Sequence, residues 1–162
     1  MGIDPGLSAT GIGIVKGHGS EIQGYSFGSI NTSTKSALPK RLDKIFSKLA
    51  QILSQERPDL MVVEDVYSLK KYPKSGIQLG QVTGIVLLAG YQTSVPSIEI
   101  PVREAKQILT GNGNATKIQL EKAVRHRLNH KELIRPSHAS DAIGLALIGL
   151  YRFPNGLNKS KG

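Results

Sequence analysis

Asp4, Glu64 and Asp141 each stand at the end of an apolar stretch of this chain. Asp4 closes Met1-Gly2-Ile3 just before a Pro5-Gly6 break, Glu64 closes Leu60-Met61-Val62-Val63, and Asp141 opens the apolar run from Ala142 to Tyr151. Carboxylates brought close together repel, and each raises the other's pKa unless a cation neutralises them. Hard oxygen ligands suit Mg²⁺ or Mn²⁺, and clustered carboxylates can hold two such ions roughly 3.5–4 Å apart for phosphodiester chemistry. His138, three residues before Asp141, would share one helix face with it. Taken singly, Asp4 reads as a turn-former and Asp141 as a first-turn helix charge. Glu64 resists such a reading, because glutamate is uncommon at a buried strand end.

The elements that must position these groups follow from the apolar pattern. The opening run, Gly11 to Val15 and Ile22 to Ile30 read as an antiparallel three-stranded meander with a turn at Lys16 to Ser20. Only three residues precede Asp4, short for a central strand, so a trimmed or misassigned start is expected. Leu42, Ile45, Phe46, Leu49, Ile52 and Leu53 repeat at helical spacing, with Pro39 in the first turn. Pro58 ends that helix, and Leu60 to Glu64 has the continuous apolar character of a buried parallel strand. The intervening helix supplies a crossover, so this strand can run parallel to the first and bring Glu64 beside Asp4.

Beyond it lie a basic loop (Lys70, Lys71, Lys74), a small-residue helix from Gly76 to Tyr91, and a short strand from Ser97 to Ile100. Helices are predicted over Val102 to Thr110 and Thr116 to Leu128, separated by a flexible Gly111-Asn112-Gly113-Asn114 connection. A last helix runs from His138 to Tyr151, with Ser137 as its N-cap. The expected fold is α/β: a mixed five-stranded sheet flanked by helices, one domain over residues 1–153, and a mobile tail over 154–162.

Charge indicates the substrate class. Lys and Arg number 21 against 12 Asp and Glu, a net +9, which favours a phosphate-rich polyanion. The absence of cysteine excludes disulfides and thiolate–zinc sites. No basic region followed by an apolar run opens the chain, and its longest apolar run falls short of the roughly 20 residues that span a bilayer. A cytoplasmic protein with no membrane partner is expected. His126 and His130 have the spacing of a zinc-protease helix, but Arg127 stands where its glutamate belongs, so a basic, solvent- or DNA-facing stretch is the better reading.

Six spaced motifs carry a family resemblance: Gly2-Ile3-Asp4-Pro5-Gly6 with Thr10-Gly11, Val63-Glu64-Asp65-Val66-Tyr67, Leu79-Gly80-Gln81-Val82-Thr83-Gly84, Lys106-Gln107, Gly111-Asn112-Gly113 through Lys117, and Ser140-Asp141-Ala142. In order and spacing, over about residues 2–150, the chain resembles the RuvC-type Holliday-junction resolvases. The resemblance implies an RNase H-like fold and a homodimer acting in DNA recombination and repair. Such a dimer nicks two strands of like polarity at a four-way junction, leaves 5′-phosphate and 3′-hydroxyl ends, and works with a branch-migration motor complex.

By matched position Asp4, Glu64 and Asp141 are the catalytic, metal-binding carboxylates, and His138 takes a place where many members carry a fourth acid and others a histidine. His138 can ligate only when neutral, so nicking is expected to weaken below about pH 6.5, the unperturbed imidazole pKa. Tyr67 matches an aromatic that stacks on a base at the opened crossover, and Lys106 and Lys117 match backbone-contacting positions, with Arg103 assisting. Lys70, Lys71 and Lys74, beside the site, are expected to meet phosphates. Two rivals share parts of the pattern: a pre-ribosomal-RNA-processing RNase H-like nuclease, and a junction-binding protein that no longer cleaves, His138 marking its decayed site.

Overall fold

The computed structural model describes residues 1–65 and 73–153, with only the backbone described for Pro73 and Lys74. Five strands form one mixed sheet: β1 (Gly2–Asp4), β2 (Ala9–His18), β3 (Glu21–Asn31), β4 (Met61–Asp65) and β5 (Ser97–Pro101). Their order is β3-β2-β1-β4-β5, with β1–β2–β3 antiparallel and β1, β4 and β5 parallel. The helices are α1 (Leu38–Glu56), α2 (Pro73–Gln92), α3 (Val102–Thr110), α4 (Lys117–Leu128) and α5 (Ser137–Arg152). The expected meander, crossover helix and parallel strands are therefore all present.

Each strand sorts its side chains by alternation. Ile3, Met61 and Val63 join Ile45, Leu49 and Leu53 of α1 and Val82, Val86 and Ala89 of α2 in one core. Val62 and Ile100 point to the opposite face, where Leu109 of α3, Val124 of α4 and the apolar body of α5 form a second core. α5 is buried almost throughout from Ala139 to Gly149, as expected of a helix packed centrally against the sheet.

Four local expectations need correction. The β2–β3 hairpin continues to His18↔Glu21, past the turn expected at Lys16 to Ser20. A register shift between Lys16 and Gly17 absorbs the glycine-rich stretch, and the turn shrinks to Gly19-Ser20, with Gly19 at φ 59°. Ser137 is not an N-cap: it is the first helical residue, and extended Pro136 precedes it with no side-chain cap. The Gly111–Asn114 connection is tied down rather than flexible. Gln107 donates from Nε2 to Gly111 O (2.9 Å) and accepts from Gly113 N–H (2.9 Å), while Asn112 N–H donates to Thr110 Oγ1 (3.1 Å). Finally, α2 begins at Pro73, a turn earlier than Gly76. Tyr67, Lys70, Lys71 and the 154–162 tail lie outside the described residues.

Candidate active site

Parallel pairing sets Ile3 beside Val63, so the next step along both strands puts Asp4 alongside Glu64. Alternation sends both side chains to the α5 face, since Ile3 and Val63 point the other way. On the antiparallel side Asp4 pairs with Gly11, and Gly2 with Gly13. These three glycines seat the helix. A Cβ on Gly11 would lie 1.9 Å from His138 O, one on Gly13 2.3 Å from Ile143 Cα, and one on Gly2 2.0 Å from Ala142 O. Only hydrogen at these positions lets α5 approach closely enough to hang its first turns over the strand ends.

His138 consequently reaches Asp4, its Nδ1 lying 2.6 Å from Oδ2. With Nδ1 donating to Asp4, the ring nitrogen left for a cation or a proton is Nε2. Asp141, a turn further on, meets the Lys117 ammonium at 3.2 Å. Lys117 opens α4 and is aimed by a capping box, in which Thr116 accepts from Gln119 N–H and Gln119 accepts from Thr116 N–H. Asp4 itself is 5% exposed, and Thr10 braces the turn behind it by donating to Gly6 O (2.8 Å).

The electrostatics are those of acids in excess. Burial, then the Asp4 charge and a hydrogen bond to Asp4, push the Glu64 carboxyl up to about 8. Burial also raises Asp141, against the opposing pull of Lys117. The hydrogen bond to Asp4 raises His138, and the Asp141 charge raises Lys117. Yet among the described residues no three His, Asp or Glu side chains are grouped to hold a single ion. The two findings are compatible: the carboxylates sense one another's charge, while His138 and Lys117 each hold one of them. The donor set, three carboxylates with an imidazole, fits a divalent cation once Lys117 releases Asp141.

The remaining residues fall around this centre. Arg103 and Lys106 line a cleft of about 360 Å³ with Asp65, Gly113 and Asn114, just past the end of β4. Lys117, expected to contact the DNA backbone, contacts the Asp141 carboxylate. For Lys74 only the helical backbone is described. His130 belongs elsewhere: the Tyr25 hydroxyl and its Nδ1 are 2.9 Å apart, and its ring meets Phe27 edge-on. Sequence reading missed the glycine seat, whose signal was glycine at alternate strand positions 11 and 13 opposite Gly2. It also missed the Gln107 brace, which had no sequence signal.

With this geometry in view, the chain was compared with known proteins. The family model described as crossover junction endodeoxyribonuclease RuvC matches residues 1–149. The crossover junction endodeoxyribonuclease RuvC of Citrifermentans bemidjiense is 36% identical over 147 residues, 91% of this chain and 88% of that one. A structure of T. thermophilus RuvC in complex with Holliday junction substrate superposes with a TM-score of 0.86 at 30% identity, covering 93% of this chain and 92% of the other. The yeast mitochondrial Holliday junction resolvase Ydc2 (TM-score 0.60, 11% identity, 93% and 76% coverage) shares the fold. The chain belongs to the crossover junction endodeoxyribonuclease RuvC family.

Proposed function

We infer that this chain is a Holliday-junction resolvase, an endodeoxyribonuclease that uses divalent metal to hydrolyse phosphodiesters at four-way DNA junctions. The observation that carries the reading is that Asp4 and Glu64 lie side by side near the C-terminal ends of adjacent parallel strands, beneath the helix turn bearing His138 and Asp141. Family membership, and a neighbour of TM-score 0.86 solved with a Holliday junction, select the junction over other phosphodiester substrates. They favour it equally over the RNA-processing nuclease and the non-cleaving binder.

Asp4, Glu64, Asp141 and the His138 imidazole would hold the cations, Mg²⁺ or Mn²⁺ and two per site. When bound, these supply the charge that activates water and stabilises the entering and leaving oxygens. Asp4 is fixed by β1 and by His138, so its position is set before substrate arrives. Glu64 gives up its proton to join it. Lys117 exchanges Asp141 for the substrate phosphate, and Arg103 and Lys106 hold the same strand further along. Tyr67, by its matched position, and the run Lys70, Lys71 and Lys74 that follows it also bind DNA, and the nuclease domain spans residues 1–153.

Cutting two strands of like polarity requires two sites, hence a homodimer. Ile77, Leu88 and Tyr91 are exposed on α2 at 66%, 47% and 83%. With Gly80 and Gly84, where an added Cβ would meet open space, they form one stripe along the helix. Leu87, by contrast, packs toward the α1 core. A branch-migration motor is the natural partner of such a dimer in the cytoplasm; among the described residues no helix is long and apolar enough to cross a membrane. The test is to offer a mobile four-way junction, linear duplex and structured RNA with Mg²⁺ or Mn²⁺. Paired, symmetric, ligatable nicks confined to the junction are expected, and preferential cutting of RNA or no cutting refutes the reading.

A further inference from the structure

A hollow of about 750 Å³ opens between the first turn of α4, residues 133–136 and the first turn of α5. This is within the range of roughly 300–1,000 Å³ typical of small-ligand sites. Its walls are chiefly apolar, from Ile118, Leu133, Ile134 and Pro136, and Lys117 and Asp141 close one side. Ile118 is 80% exposed and Leu133 57%, so two large apolar side chains stand in water immediately beside the site described above.

The hollow is held open by fixed parts. Glu121 accepts from Ile134 N–H (3.1 Å) and ion-pairs with Arg125 (2.6 Å), and Ile134 packs into the core, so the 133–136 segment is fastened to α4. On its α5 side lies Ser140, 3% exposed, whose hydroxyl finds no hydrogen-bond partner among the described residues. Buried polar groups are rarely left so.

We propose that this hollow receives an unstacked nucleobase of the strand being cut, from a nucleotide adjoining the scissile phosphate. The proposal rests on the resolvase reading. A phosphate held between Lys117 and the carboxylates places its neighbouring nucleotide at the mouth of the hollow, since Lys117 and Asp141 themselves line it. A base is flat and apolar on its faces, matching Ile118, Leu133 and Pro136. Its polar edge carries the donors and acceptors that the Ser140 hydroxyl lacks. Lys117 and Arg135 at the rim meet the phosphates on either side. The hollow is thus continuous with the cleavage site and complementary in charge to the same strand. This pocket would make the position of the cut depend on which base is present.

The test combines junctions carrying one abasic site, placed in turn at each nucleotide flanking the cut, with Ile118→Ser and Leu133→Ser proteins whose fold is checked by thermal melting. On the intact junction each variant is expected to nick about tenfold more slowly, the size of one lost base contact. The wild type slows similarly at one abasic position, and there the variants lose nothing further, because the two changes remove the same contact. Ser140→Ala shifts the preference among the four bases at that position. Indifference of the wild type to every abasic position, or losses that multiply, overturns the proposal and assigns the hollow to another occupant, such as a protein side chain. A protein that nicks no junction at all defeats the resolvase reading instead.

Discussion

In the metal-free protein at neutral pH the Glu64 carboxyl keeps its proton, held up to about 8 by burial and by Asp4. It must lose that proton before both carboxylates can take a cation. The sign of the resulting stability effect is fixed. Between the ordinary value of 4.5 and about 8 the folded state binds the extra proton, so this contribution is complete below the first and is lost as pH rises through the second. His138 and Asp141, also raised, act in the same direction. Melting temperatures measured in EDTA should therefore fall between pH 4.5 and about pH 8, and Glu64→Gln, which keeps a neutral donor, should flatten the fall. A pH-independent wild-type melt would contradict this account of the site.

The same residue-scale reasoning revises the acid limb of nicking. His138 bonded to Asp4 holds its proton above the ordinary 6.5, so its part of the acid limb should begin at a higher pH than the free imidazole value, and His138→Asp should leave only the part that Glu64 sets. At this scale the sequence was most legible. Acidic residues that end apolar runs are conspicuous, because burying a charge needs a reason. What Lys117 touches was not legible, since a lysine in a basic chain gives no sign of which anion it faces.

Among the elements, the site depends on how closely α5 approaches β1 and β2. Gly11→Ala puts a methyl 1.9 Å from His138 O and forces the helix outward. The expected cost is about 1–3 kcal/mol of stability, as for other overpacked interiors. Junction nicking should fall by about a hundredfold or more, since a shift of about 1 Å misplaces His138 and Asp141 over Asp4. Gly24→Ala, whose Cβ meets open space, should change neither thermal melting nor nicking rate, and an equal response of the two variants would remove the seating role. Helical and strand periodicity located every element, because each buries a face against the sheet. The ends were less legible: Gly17 allows a bulge that extends the hairpin, and Pro136, not Ser137, precedes α5. The α3–α4 turn shows the same limit, since four polar and glycine residues read as slack until Gln107 is placed across them.

For the molecule as a whole, 21 basic against 12 acidic residues favour a polyanion such as DNA, while acids concentrate at the site itself. Junction binding should weaken steeply with salt, and the α2 stripe should hold two such surfaces together. Tyr91→Glu, at an 83% exposed position, should convert the proposed dimer to monomer in sedimentation without lowering the melting temperature of the fold. An unchanged sedimentation coefficient would move the interface elsewhere. The proposed interface was legible only as small residues along one helix, because a sequence does not say which apolar stripe is covered by its own core.

The most direct test of convergence at the acids is anomalous diffraction from a crystal soaked in Mn²⁺ near pH 8. Manganese is expected between the carboxylates of Asp4, Glu64 and Asp141, with the Lys117 ammonium withdrawn from its 3.2 Å contact with Asp141. Manganese bound elsewhere, or no manganese and an intact Lys117–Asp141 pair, would contradict it.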